Sequence, residues 1–158
     1  MLVDMNGFVG KSIKDICGKY DNESNENNCA HFVGHMLSYR LPHAALCSNC
    51  EGTQYSYADR LQGFCIRVDQ IYNSLTNRCS WPDDVPTSPC IVVATLDYNI
   101  TDIELYTIGT NPRKHIGIFV GQNVYNYSNT HKQVAMTPLS QFKLHFGAET
   151  TLLKADLP

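Results

Sequence analysis

Two positions in this chain combine a reactive residue type with a setting that could activate it. Cys29 follows Asn27-Asn28 and opens the run Cys29-Ala-His-Phe-Val-Gly-His-Met-Leu-Ser-Tyr39, whose pattern predicts a helix ended by Pro42. A cysteine in the first turn of a helix meets unpaired backbone N–H groups and the positive end of the helix dipole. Both favour thiolate over thiol. The same N–H groups are candidates for an oxyanion hole, and Asn27 and Asn28 are good capping residues. His115 begins the apolar run His115-Ile-Gly-Ile-Phe-Val120, a strand stopped by Gly121-Gln-Asn123. Val124-Tyr-Asn-Tyr127 then reads as its hairpin partner, which sets Asn126 opposite the strand that His115 begins. Nucleophile, base and polar orienter, in that chain order, are the parts of covalent acyl transfer.

Other residues invite competing chemistry. His31 and His35 stand four apart on the same expected helix, a spacing that can bind metal. No acidic residue lies between them and no third ligand is evident, so they are expected on a solvated face and no metal site is assigned. His31 cannot serve Cys29 as a base, because residues two apart point to different sides of a helix. Cys47-Ser-Asn-Cys50 lacks both a second such pair and the strand–helix setting of a redox motif. Of seven cysteines, six remain when Cys29 is set aside. They either pair as three disulfides, which would leave Cys29 free, or stay reduced as small buried hydrophobes.

The elements that must position these residues are legible in outline. Ser12 to Lys19 reads as a short helix, followed by nine polar residues from Tyr20 to Asn28 that form an exposed loop. Tyr57 to Leu75 has a helical pattern, and Trp81 to Pro89 is turn-rich. Strands are expected at Ile91–Thr95, Glu104–Ile108, His115–Val120 and Val124–Tyr127, with a last strand or short helix after Pro138. Gly109-Thr-Asn-Pro112 is a turn that positions His115, and Tyr55, Tyr57, Tyr125 and Tyr127 either line a groove or half-bury at a sheet surface. Helices first and an antiparallel sheet second make an α+β domain, one unit over residues 1–158. The chain is long enough to bury its own core. Its 43% hydrophobic and 17% charged residues are an ordinary globular balance. A net charge of −3 argues against nucleic acid or an anionic membrane as partner. No apolar run is long enough to span a bilayer, and Met1 to Gly10 has neither the basic nor the apolar region of a secretory signal.

Asn28-Cys-Ala-His-Phe-Val33 resembles the Asp-Cys-Ser-Gly-Phe-Val signature of the NlpC/P60 (papain-like) cysteine peptidases. His115-Ile-Gly-Ile-Phe-Val-Gly121 is similar to that family's His-Val-Gly-Ile-Tyr-hydrophobic-Gly strand, and Met136-Thr-Pro-Leu-Ser-Gln-Phe142 to its closing segment. The likeness covers both catalytic blocks in order, though not the stretch from Pro42 to Pro89. It implies a papain-like fold, N-terminal helices packed on a C-terminal antiparallel sheet. By resemblance Cys29 is nucleophile, His115 general base and Asn126 the orienting residue, with Tyr20 and Asn28 on the substrate side and no cofactor. Ala30 and His31 depart from the usual Ser-Gly, and the family's third member is more often His, for which His131 is the fallback.

The family mostly cuts amide bonds of peptidoglycan stem peptides or cross-links. A lone catalytic domain without a signal peptide is similar to the amidase effectors of type VI secretion, which act in a rival's periplasm and meet a cognate immunity protein. If the chain is not exported, it is expected in the cytoplasm. Related papain-like proteins imply two other outcomes, a lipid acyltransferase or a host-directed protease or deamidase. A binding module with a degenerate site is the non-enzyme outcome.

Overall fold

The computed structural model describes residues 4–17, 28–37 and 65–158. Tyr20, Asn27, Cys47, Cys50, Tyr55 and Tyr57 lie outside the described residues. A 3-10 turn, Met5–Phe8, leads to helix α1 (Ile13–Cys17). Ser12 Oγ accepts from the Asp15 N–H at 3.2 Å, and Asp15 Oδ2 accepts from the Ser12 N–H at 3.1 Å. This is a reciprocal capping box with Asp in the place of Glu. The Ser12 hydrogen bonds hold the Asp15 carboxyl below its ordinary range.

Helix α2 (Asn28–Leu37) starts one residue earlier than the sequence suggests, with Cys29 in its first turn. Of its ten residues only His35 and Leu37 are not buried, so the helix runs through the interior instead of lying on a surface. The solvated face expected for His31 and His35 therefore does not exist: His31 is fully buried and His35 partly so. Helix α3 (Val68–Ser74) realises the end of the second helical stretch.

One six-stranded sheet organises the described residues. Strands β1 (Cys79–Ser80), β2 (Cys90–Thr95), β5 (His115–Val120), β6 (Asn123–Ser128), β7 (Gln133–Pro138) and β8 (Thr151–Ala155) lie in the order β1-β8-β2-β5-β6-β7. Every pairing in this sheet is antiparallel. Between β2 and β5 a small ladder joins β3 (Ile100–Asp102) to β4 (Thr107–Ile108). β2 is buried along its whole length, which explains its unbroken apolar run. Phe32, Val33 and Met36 of α2 pack with Ile91, Val93, Ile116 and Ile118 on one face. On the other face, Val92, Ala94, Phe119 and Val124 lie under Phe142 and Trp81. Phe142 ends α4 (Leu139–Phe142). The architecture is mixed α+β with an antiparallel sheet, as the order of patterns implies.

Several elements differ from expectation for identifiable reasons. Glu104 to Tyr106 turn instead of extending, because Asp102 Oδ1 accepts the N–H groups of Glu104 and Leu105 at 2.8 Å each. After Pro138 the short helix of the two expected alternatives forms, and the alternation of Phe142, Leu144 and Phe146 makes no strand: only Phe142 is buried, and Leu144 is exposed. Tyr125 and Tyr127 line no groove. Tyr127 Oη accepts from the Ile13 N–H at 3.2 Å and Tyr125 Oη donates to Asn6 Oδ1 at 2.5 Å, tying the N-terminal segment to β6. Among the described residues Cys29, Cys65, Cys79 and Cys90 form no disulfide, so the pairing of the six other cysteines into three disulfides is not formed. Among the described residues no helix is long and apolar enough to cross a membrane.

Candidate active site

His115 is delivered by a loop fastened at several points. Thr95 Oγ1, at the end of β2, donates to the Arg113 carbonyl at 2.8 Å and accepts from Asn99 Nδ2 at 3.0 Å. Asn99 in turn accepts the Gly109 N–H on its carbonyl at 2.8 Å and the Asn111 N–H on Oδ1 at 3.2 Å. Lys114 adds an ion pair to the buried Asp69 at 3.4 Å. The turn before His115 is thus held against β2 by a polar network whose members satisfy one another.

The imidazole meets Asn126 as the hairpin register requires. Gly117 pairs with Asn126, and His115, two residues earlier on the same face, brings Nε2 to 2.9 Å from Asn126 Oδ1. The Asn126 amide is fixed by its other end: Nδ2 donates to the Val124 carbonyl and to Thr137 Oγ1, each at 3.0 Å. A carbonyl can only accept, so the amide nitrogen faces Val124 and the amide oxygen faces His115. His115 must then donate through Nε2–H, which leaves Nδ1 as the basic nitrogen. Burial lowers the His115 pKa, and the Asn126 hydrogen bond opposes part of that shift. The ring is a neutral base at neutral pH.

His145 was not singled out by the sequence. Its ring stacks on His115 at a centroid distance of 4.2 Å and an interplanar angle of 5°. Phe142 packs beside the same ring at 5.5 Å. His145 is exposed at one edge, and desolvation by the rings packed on it, with the proximity of His115, pushes its pKa down to about 4. No periodic or motif signal marks a histidine in Leu144-His145-Phe146; only the folding of α4 onto the sheet brings it there. His115, Asn126, Thr137 and His145 line a cavity of about 380 Å³ whose far wall includes Ser128 and His131. His131 Nδ1 lies 3.1 Å from Ser128 Oγ. It shares the cavity, but Asn126 is the residue that holds His115.

Cys29 is almost fully buried at the first turn of α2. Burial raises its pKa, while N–H groups of Ile116, Ala30 and Cys29 itself act in the opposite direction. The thiolate expected from the helix dipole is therefore corrected: desolvation outweighs the first-turn N–H groups. The Ile116 contact puts the sulfur at the start of β5, where the β5–β6 ladder ends at Gly117↔Asn126 and the strands part. No hydrogen bond joins Cys29 Sγ to the imidazole among the described residues. Ile116 and Ile118 face α2, whereas His115 lies against Phe142 on the other side. The fold thus brings His115 and Asn126 into contact and sets the Cys29 sulfur beside Ile116, the next residue of β5.

Asn28, expected as a cap, is instead the first helical residue. Its Oδ1 is buried without a hydrogen-bond partner, an arrangement that demands a reason. Tyr20 lies outside the described residues. Compared with protein-family models, curated proteins and solved structures, the chain matches none of them.

Proposed function

We propose that this protein is a cysteine hydrolase of the NlpC/P60 (papain-like) kind, with Cys29 as nucleophile, His115 as general base and Asn126 as orienting residue. The observation that carries the reading is the 2.9 Å bond from His115 to an Asn126 amide locked by two further hydrogen bonds. A histidine tautomer fixed in this way presents an unprotonated Nδ1 that can accept a proton. Support also comes from Cys29 in the first turn of a ten-residue helix, with its sulfur at the start of β5.

In the proposed reaction both partners begin neutral. As a substrate carbonyl enters, the Cys29 side chain turns from the Ile116 N–H around the start of β5 toward the imidazole, Sγ attacks the carbonyl carbon and the thiol proton passes to His115 Nδ1. The developing oxyanion takes first-turn N–H groups of α2. His115 returns the proton to the leaving amine nitrogen, and the C–N bond breaks to leave a thioester on Cys29. Water then attacks the thioester, giving its proton to His115, and the acid product leaves as the thiol is restored. The unpartnered Asn28 Oδ1 is an acceptor for a substrate N–H, and Tyr20 stays the second substrate-side candidate.

The substrate assigned is an amide bond of peptidoglycan stem peptides or cross-links. Delivery by type VI secretion into a target periplasm, with a cognate immunity protein as partner, completes the reading. Mass spectrometry of digested peptidoglycan, with wild type and Cys29→Ala side by side, tests it. Release of new amine termini by wild type alone is expected. Intact peptidoglycan in both samples would remove the substrate assignment. If, in addition, an electrophile labels Cys29 no faster than the other cysteines, the hydrolase reading fails as well.

A further inference from the structure

The end of α1 and one side of α2 bring three soft donors together away from the His115 cavity. Cys17 is the last residue of α1, and His31 and His35 lie one turn apart on α2. A ring nitrogen of each histidine and Cys17 Sγ all fall within 4.8 Å of one another. His31 Nε2 and His35 Nε2 are already 3.1 Å apart. In a tetrahedral zinc site, with Zn–N near ~2.0 Å and Zn–S near ~2.3 Å, neighbouring ligand atoms sit about 3.3–3.6 Å apart. The histidine pair has that bite, and small side-chain rotations close the sulfur onto it.

From this geometry we infer a zinc site formed by Cys17, His31 and His35, with water in the fourth position. The donor set selects the metal: two imidazoles and a thiolate, with no carboxylate, suit Zn²⁺ and disfavour Mg²⁺ or Ca²⁺. Binding exchanges the Cys17 thiol proton, released to solvent, for a Zn–S bond, and replaces the histidine–histidine contact with two Zn–N bonds. The site also answers a structural need. An α1 of five residues is too short to persist by its own hydrogen bonds, and a metal would pin its last residue to α2. The inference is independent of the hydrolase reading and stands or falls without any turnover assay.

The test uses the full chain carrying Cys29→Ala, which removes the other thiol of α2, reduced and stripped of metal. Cobalt(II) is titrated in while absorbance is followed, and zinc is then added. One equivalent is expected to bind with the intense visible bands of tetrahedral cobalt and a near-ultraviolet thiolate-to-cobalt charge-transfer band. Zinc should bleach both. Adding Cys17→Ser should abolish the charge-transfer band, and adding His35→Gln should weaken binding at least tenfold. Zinc should raise the Tm of the parent but of neither variant. His35 is partly exposed, so His35→Gln is a readable variant even if Cys17→Ser folds poorly by circular dichroism. A folded parent with no tetrahedral cobalt spectrum overturns the site. So does a spectrum that both substitutions leave unchanged, since the metal would then sit on other cysteines.

Discussion

Replacing Gly117 by alanine probes the contact on which the His115–Asn126 pairing depends. A Cβ built at Gly117 would lie 2.4 Å from Val124 Cγ1, 2.9 Å from the Tyr125 carbonyl oxygen and 3.2 Å from Asn126 Cβ. Ordinary carbon contacts lie at about 3.5–4.0 Å, so the new methyl intrudes by more than ~1 Å. Neither neighbour yields easily. Val124 is fully buried, packed with Phe119 and Phe142, and the Tyr125 carbonyl belongs to the paired β6 backbone. Overpacking of this severity costs about 1–3 kcal/mol. The loss of glycine's freedom in the unfolded chain returns about 0.4–1 kcal/mol. The net expectation is a destabilisation of about 1–2 kcal/mol, or a fall in Tm of roughly 2–8 °C for a chain of this size. Urea unfolding followed by circular dichroism should show a lower midpoint with an unchanged slope. Val124→Ala in the same chain should relieve the clash, so the double variant is less destabilised than the two single losses added together. A Gly117→Ala protein as stable as wild type, or strictly additive double-variant losses, would refute the close approach of β5 and β6 described here.

Four further outcomes follow from the same geometry. Cys29→Ala should abolish amide cleavage, and His115→Ala should lower its rate by about 10²- to 10⁴-fold, with circular dichroism unchanged. Asn126→Ala should cost less than His115→Ala in the same peptidoglycan assay, because it holds a tautomer and makes no bond; equal losses at His131 and none at Asn126 would reverse the assignment. Acid should weaken the fold: His115 and His145 have lowered pKa values, to about 4 for His145, so between about pH 4 and 6.5 the unfolded chain binds more protons. Their contribution is intact above about pH 6.5 and is lost as pH falls, and the urea midpoint of His145→Ala should depend less steeply on pH in that window, though solvent at its exposed edge softens the difference. Ser12→Ala should cost about 0.5–2 kcal/mol by removing the α1 cap, read as a shift in the same midpoint; no shift would mean that the cap adds nothing to the packing that holds α1.

Local signals were enough for the parts of this protein that local signals govern. The unbroken apolar run of β2, the strand from His115 to Val120 and its turn at Gly121 follow from side-chain pattern and from a glycine at positive φ. The opposition of Asn126 to that strand follows from the hairpin register, because a two-residue period leaves few alternatives. The first-turn placement of Cys29 was legible from the helical pattern that begins there. What the tertiary structure alone decided depends on burial and on residues distant in the chain. Desolvation, a property of everything packed around a group, raises the Cys29 pKa where the helix start alone would lower it. It also turned the expected solvated face of α2 into an interior one, fully burying His31. His145 reached His115 across thirty residues of chain only when α4 closed over the sheet. Cys17 and the two histidines of α2, separated by a long polar run, became a three-donor cluster only when α1 packed on α2. Sequence spacing shows which side chains one helix or one hairpin can bring together; packing between elements chooses the rest, and with them the environment in which each group titrates.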